Sequence, residues 1–151
     1  DTTPIYLAAN CTDLAEVQSQ GMEMLFTSLY DDIYGKDADY LELLALCNII
    51  QSVVSGFGVG EFEYEVMQRI GEGSEPSAEE VCEIYDRIAE ECDINIEMYQ
   101  ISHLYEQPGY YISYGVSALA ALQIYAEMQE NMENALSLYS RISSISSVSG
   151  E

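Results

Sequence analysis

The sequence has 151 residues, a length that suits one domain with a real core, and 48% of the residues are hydrophobic. Its 27 acidic and 4 basic residues give a net charge of -23, which repels phosphate backbones and anionic bilayers and argues against nucleic-acid and membrane partners. Such acidity usually marks a well-solvated surface, although it would also attract cationic peptides or metal ions.

The chain opens with a segment that predicts no regular structure. Residues 1 to 12 contain Pro4 and Asn10 and form an irregular lead-in. A helix is predicted from Asp13, because Asp13 suits the N-cap and Glu16 follows three residues later, as in a capping box. Apolar residues at helical spacing continue this helix to about Gly35.

A second, strongly apolar helix is predicted over residues 40 to 54, and we expect it to be buried on most sides. Gly56, Gly58 and Gly60 then follow with the spacing of a phosphate-binding loop. No strand precedes them, no lysine accompanies them and glutamates come next, so a nucleotide site is disfavoured. We interpret the glycines as a loosened helix or a helix-helix contact, after which helical spacing resumes over residues 61 to 70.

The middle of the chain is punctuated by a linker at residues 71 to 76. Ser77 and Glu80 then form a second capping-box pattern, which predicts a helix that continues to about residue 92. A short helix over residues 96 to 101 and a last helix over residues 131 to 142 complete the pattern.

A turn followed by an uncharged helix distinguishes residues 103 to 128. Pro108 and Gly109 mark the turn, and the following run from Tyr111 to Ala126 carries no charge. This run predicts a buried helix, because it is shorter than the ~18 to 20 apolar residues that a membrane span requires.

The tyrosines after this turn are expected to share one helical face, near the turn that carries the only histidine, His103. Tyr110 and Tyr114 are four residues apart, and Tyr111 and Tyr114 are three apart. One imidazole and several phenols in this arrangement suit a site that holds a carbonyl oxygen or an oxyanion. The alternative is that the tyrosines line an amphipathic core and the histidine is a satisfied structural group.

Taken together, these patterns predict an all-α protein, an irregular bundle of about six or seven helices. A single helical domain over residues 13 to 145 is expected, with a frayed tail over 146 to 151. The four cysteines lie at positions 11, 47, 82 and 92, contain no C-x-x-C, and are expected to be reduced thiols. No basic segment followed by an apolar core is visible at the N-terminus, so we expect a cytoplasmic protein, with secretion left open.

Two stretches together resemble the C-terminal half of the oligoendopeptidase F and thimet oligopeptidase family of zinc metallopeptidases. The first is DLAEVQSQGMEML at residues 13 to 25, and the second is His103 with the tyrosine-rich helix start. The intervening helices fit the family from about residue 13 to about residue 145. The resemblance implies an enzyme whose substrates are short peptides.

The resemblance also implies a role for each residue of the two stretches. Glu16 would be the third zinc ligand, and Glu23, on the same helical face, would support it from outside the coordination sphere. His103 would contact the substrate, and the tyrosines would donate hydrogen bonds to the substrate carbonyl and the tetrahedral intermediate, Tyr114 matching better than Tyr110 and Tyr111. Apart from the family, Glu16 has an ordinary role as the capping-box glutamate.

The sequence departs from the family in one respect, because it contains no H-E-x-x-H motif. A zinc hydrolase needs about three protein ligands and a water, so the chain alone should bind Zn2+ weakly and hydrolyse nothing. The expected partner is the missing N-terminal part of the same polypeptide, whose absence would leave an apolar surface open to solvent or to self-association of the chain. The alternative function is a non-catalytic acidic helical interaction module.

Overall fold

The computed structural model describes residues 12 to 144, which confirm the all-α prediction: they form helices joined by short turns and contain no strand. Single 3-10 turns at 27–29, 35–37 and 98–100 lie between helices. The predicted lead-in, except for Thr12, and the predicted tail lie outside the described residues. The helices are α1 (Thr12–Phe26), α2 (Tyr30–Tyr34), α3 (Ala38–Gly71), α4 (Ala78–Glu91), α5 (His103–Glu106), α6 (Ile112–Glu130) and α7 (Met132–Ser144).

The chain divides into two compact units. The first comprises Asp1–Gln51 and Val116–Glu151, and the second comprises Ser52–Gly115. Each has its own cluster of buried apolar side chains. The buried residues of the first cluster are Val17, Leu25, Ile124, Met128 and Ala135; those of the second are Val59, Phe62, Ile84, Tyr85, Ile88, Ile94 and Ile101.

The first unit is held together by close packing and by buried polar contacts. A Cβ atom on Gly21 would lie 2.9 Å from the Ile124 side chain, so the absence of a side chain at Gly21 lets α1 and α6 approach. Ser117 donates to Gln20 across the same contact, with 2.8 Å between the oxygens. The phenol of Tyr125 donates to the carboxylate of Glu42 at 2.6 Å.

The first predicted helix is interrupted rather than continuous. The backbone places Asp13 inside α1 instead of at its N-cap, and α1 ends at Phe26. The hydroxyls of Thr27 and Ser28 each donate to a carbonyl three residues earlier, both at 2.8 Å. Such side-chain hydrogen bonds compete with the helical ladder, which accounts for the break. The predicted end is correct, because Gly35 adopts a φ of 54° directly after α2.

The glycine segment lies inside one continuous helix, α3, which is 34 residues long. The sequence predicted two helices here, with the glycines at a loosened stretch or a helix-helix contact. The contact is confirmed within the second unit: a Cβ atom on Gly56 would lie 2.3 Å from the backbone nitrogen of Gly115. Packing of this kind outweighs the low helix propensity of glycine.

The prediction that the apolar helix is buried on most sides is wrong. Tyr40 is 68% exposed, Leu43 59% and Ile50 52%. The apolar side chains of α3 project from all sides of the helix, and only a few of those sides pack against other residues. The predicted burial of α6 is also only partly correct, because Leu119 is 49% exposed.

The helical stretch Leu14–Gly71 contains an 18-residue window whose mean hydropathy is 1.7, long and apolar enough to cross a membrane by length and composition. The core helices of soluble proteins pass the same test.

In the second unit α4 begins as predicted, whereas the short helix predicted over residues 96 to 101 is only the 3-10 turn at 98–100. Ser77 caps α4 by accepting from the Glu80 backbone N–H, and the Glu80 side chain accepts from the Ser77 N–H, which confirms the capping box. The absence of a side chain at Gly58 of α3 lets Cys92 pack closely, because a Cβ atom at Gly58 would lie 3.2 Å from the sulfur of Cys92. Cys92 is half-buried, whereas Cys47 and Cys82 are exposed, and all three are free thiols.

Candidate functional site

The candidate site forms around the turn that separates α5 from α6. The backbone N–H of Gln107 donates to the carbonyl of His103 at 2.9 Å, which closes the single turn of α5. Gly109 follows with a φ of 82°, a backbone conformation that favours glycine. Its N–H donates to the carboxylate of Glu63 in α3 at 2.6 Å, so the turn is fixed to the long helix.

Four half-buried rings meet beside this turn. The imidazole of His103 stacks on the ring of Tyr110, with 4.8 Å between centroids and 20° between planes. Tyr114 meets His103 edge-on at 5.6 Å, Tyr110 at 5.5 Å and Tyr111 at 5.4 Å. Tyr111 also meets His103, at 6.0 Å. The predicted clustering of the three tyrosines near His103 is therefore confirmed, and Tyr114 contacts every other member. The predicted common helical face is wrong, because Tyr110 and Tyr111 precede α6, which begins at Ile112.

The phenol of Tyr111 is a hydrogen-bond donor at neutral pH. Burial raises the pKa of Tyr111 above its ordinary value near 10, and the neighbouring phenol of Tyr114 raises it further. A protonated phenol donates one hydrogen bond, and an imidazole donates from at least one nitrogen. The four residues are only half-buried, so part of each is open to solvent.

The sequence did not indicate the carboxylate that holds the turn. In the sequence Glu63 is only one of several glutamates that follow the glycines. In the structure its carboxylate accepts a hydrogen bond from the N–H of Gly109, 46 residues away. Two acceptors for tyrosine hydroxyls were missed for the same reason: Glu42 accepts from Tyr125, and the carbonyl of Ile96 accepts from Tyr85 at 2.6 Å. Contacts between distant residues leave no local pattern in one sequence.

The two residues of the predicted metal site lie on α1, in the first unit. Glu16 is half-buried and its carboxylate accepts from the hydroxyl of Ser19 at 3.3 Å, while Glu23 is exposed. Between residues 12 and 144 no group of three His, Cys, Asp or Glu side chains is placed to hold a metal ion. These residues therefore do not by themselves fit zinc.

Comparisons with models of known families, with curated proteins and with solved structures found no match to this chain. The resemblance to zinc oligopeptidases rests on the residues of its two stretches. One stretch forms α1, and the other forms the turn and the ring cluster at the start of α6.

Proposed function

We propose that this chain supplies part of the catalytic site of a zinc-dependent oligopeptidase, an enzyme that cleaves short peptides. The observation that carries the proposal is the packing of His103 with Tyr110, Tyr111 and Tyr114 beside the Pro-Gly turn. The ring cluster of the second unit offers hydrogen-bond donors, and α1 of the first unit offers a carboxylate. The remaining metal ligands would come from another part of the same polypeptide.

The ring cluster would act on the peptide carbonyl. Negative charge develops on that oxygen as the carbonyl carbon becomes tetrahedral, and donors fixed in advance stabilise the charge more in the transition state than in the ground state. His103 and Tyr114 are the proposed donors. Tyr110 and Tyr111 flank Tyr114 and restrict the position of its ring, and they are candidates for further contacts with the substrate.

Glu16 is the proposed third protein ligand for Zn2+, with Glu23 as a supporting carboxylate two helical turns further along α1. Because the described residues do not assemble three ligands, the proposal requires two histidines from an H-E-x-x-H segment outside this sequence. Bound zinc would supply an activated water at the site. The chain by itself is accordingly proposed to be inactive.

The test is an assay of the complete polypeptide that contains this chain on short fluorogenic peptides, with and without a chelator. We expect cleavage that the chelator abolishes and that Glu16→Gln reduces by several orders of magnitude. Glu133→Gln, a change to an exposed acid at the start of α7, is the matched control and should retain activity. A coding sequence without H-E-x-x-H, or cleavage that is insensitive to the chelator, contradicts the proposal.

A second candidate function is a non-catalytic helical interaction module. The observation in its favour is the number of large apolar side chains that are exposed along α3 and α6, which soluble monomers rarely display together. Analytical ultracentrifugation of the isolated chain tests whether these side chains mediate self-association. A natural start codon at or just before Asp1 would favour this module over the peptidase.

A further inference from the structure

The second unit contains an apolar groove distinct from the ring cluster. Its volume is about 230 Å³, and it lies between α3, α4 and the segment that leads into the Pro-Gly turn. Val66 and Ile70 of α3, Val81 of α4 and Leu104 of α5 contribute hydrocarbon to its walls. Glu63 is the one acidic residue among the residues that line it.

The carboxylate of Glu63 is only half satisfied. Its Oε1 atom accepts from the N–H of Gly109 at 2.6 Å, which fixes the orientation of the carboxylate. Its Oε2 atom is buried and has no hydrogen-bond partner in the described part of the chain, a property shared there only by the hydroxyl of Ser143. A cationic donor in the groove that pairs with the Glu63 carboxylate would gain a charge-assisted hydrogen bond.

We propose that this groove binds a primary ammonium carried on a short apolar chain. The ammonium matches the Glu63 carboxylate of the groove in charge and in hydrogen bonding, since it has three donors and no acceptor. The hydrocarbon walls match the chain, and a cavity of about 150 Å³ already holds a benzene ring, so a chain of roughly six carbons fits the larger groove. The net charge of -23 raises the concentration of cations near the surface.

This inference is independent of the proposed peptidase activity, because it needs neither a metal nor a reaction. The probe is n-hexylammonium, and 1-hexanol and hexanoate have the same chain with a neutral or a negative head group. We expect calorimetry on the 151-residue chain to show hexylammonium binding at least tenfold more tightly than hexanol, with no binding of hexanoate.

Two readouts locate the binding. Met67 and Met98 line the groove, whereas Met24 and Met128 lie buried in the first unit, so hexylammonium should shift the methyl resonances of the first pair only. Glu63→Gln should remove the tenfold preference over hexanol, whereas Glu61→Gln, on the same helix but outside the groove, should keep it.

The methyl shifts report binding even if Glu63→Gln loosens the turn that Glu63 holds. Equal affinities for hexylammonium and hexanol, or shifts that do not single out Met67 and Met98, would overturn the assignment. Tighter binding of N-acetyl-lysine methylamide than of hexylammonium would also overturn it, because the occupant would then be a peptide side chain instead of a free amine.

Discussion

The imidazole of His103 lies parallel to the ring of Tyr110, with 4.8 Å between their centroids, and Tyr114 meets both rings edge-on. Parallel and edge-on contacts of this kind hold aromatic rings in fixed positions, because the positive edge of one ring faces the negative face of another. The hydroxyl of Tyr114 can therefore be removed while its ring keeps these contacts, which separates its chemistry from its packing.

Tyr114→Phe in the complete polypeptide should lower kcat on short peptides by about 10²-fold to 10³-fold, the usual loss when one oxyanion donor is removed. The measurement is steady-state peptide cleavage, with the thermal melt as a check that the fold is kept. Tyr99→Phe removes a hydroxyl from a ring that is 73% exposed and outside the cluster, so it serves as the control. If Tyr114→Phe cleaves as fast as this control, the hydroxyl of Tyr114 has no part in the mechanism.

Gly56→Ala should destabilise the protein by about 1 to 3 kcal/mol, because the new methyl group would lie 2.3 Å from the backbone nitrogen of Gly115 and 2.6 Å from its Cα. Neither atom can move without shifting a helix. Urea unfolding followed by circular dichroism measures the change in the free energy of unfolding.

Gly71→Ala is the matched control for that substitution, since Gly71 also belongs to α3 but has nothing within 4 Å of the position of a Cβ. Its φ is not positive, so alanine is expected to stabilise the helix by roughly 0.4 to 1 kcal/mol. A loss of stability in Gly71→Ala equal to that in Gly56→Ala would rule out the contact with Gly115 as the cause.

The free energy of unfolding should fall in strongly alkaline solution as the phenols of Tyr85 and Tyr125 lose their protons. Burial raises the pKa of Tyr85 to about 12, and burial together with the hydrogen bond to Glu42 raises the pKa of Tyr125 to about 12. In the unfolded chain both values are near 10, so the folded state holds these protons to higher pH. Their contribution to stability is complete below about pH 10 and is lost between about pH 10 and 12.

The pH dependence is measured by urea unfolding at a series of alkaline pH values, alongside a phenolate absorbance titration. The double variant Tyr85→Phe with Tyr125→Phe should show a shallower fall in the free energy of unfolding over this window. An unchanged slope in the double variant would mean that other groups cause the alkaline loss.

Ser77→Ala should cost about 1 kcal/mol, because it leaves the backbone N–H of Glu80 without its acceptor at the start of α4. Ser74→Ala, in the preceding turn, removes an exposed hydroxyl and is expected to stay within about 0.5 kcal/mol of the wild-type protein. Urea unfolding compares the two variants directly. Equal effects would show that the cap contributes nothing.

Local patterns in the sequence predicted the parts of the fold that depend on local chemistry. The capping box at Ser77 and Glu80, the helix end at Gly35 and the contact between Tyr110 and Tyr114 each follow from residues within a few positions of one another. Hydrogen bonds and ring contacts at such spacings are largely set by helix geometry.

Features that depend on distant residues could not be predicted in this way. The continuity of α3 through its glycines depends on the packing of Gly115 against Gly56, and the position of the Pro-Gly turn depends on Glu63. The exposure of Leu43 depends equally on which neighbours α3 has in space. No periodicity within a single helix carries this information.

The sulfur of Cys92 sits against the backbone of α3 at Gly58, whereas Cys47 and Cys82 face solvent. A thiol-specific alkylating reagent should therefore modify Cys47 and Cys82 faster than the half-buried Cys92, one side of whose sulfur faces α3. Mass spectrometry of the time course would then measure how far the packing of Cys92 against Gly58 protects the thiol, without any introduced label.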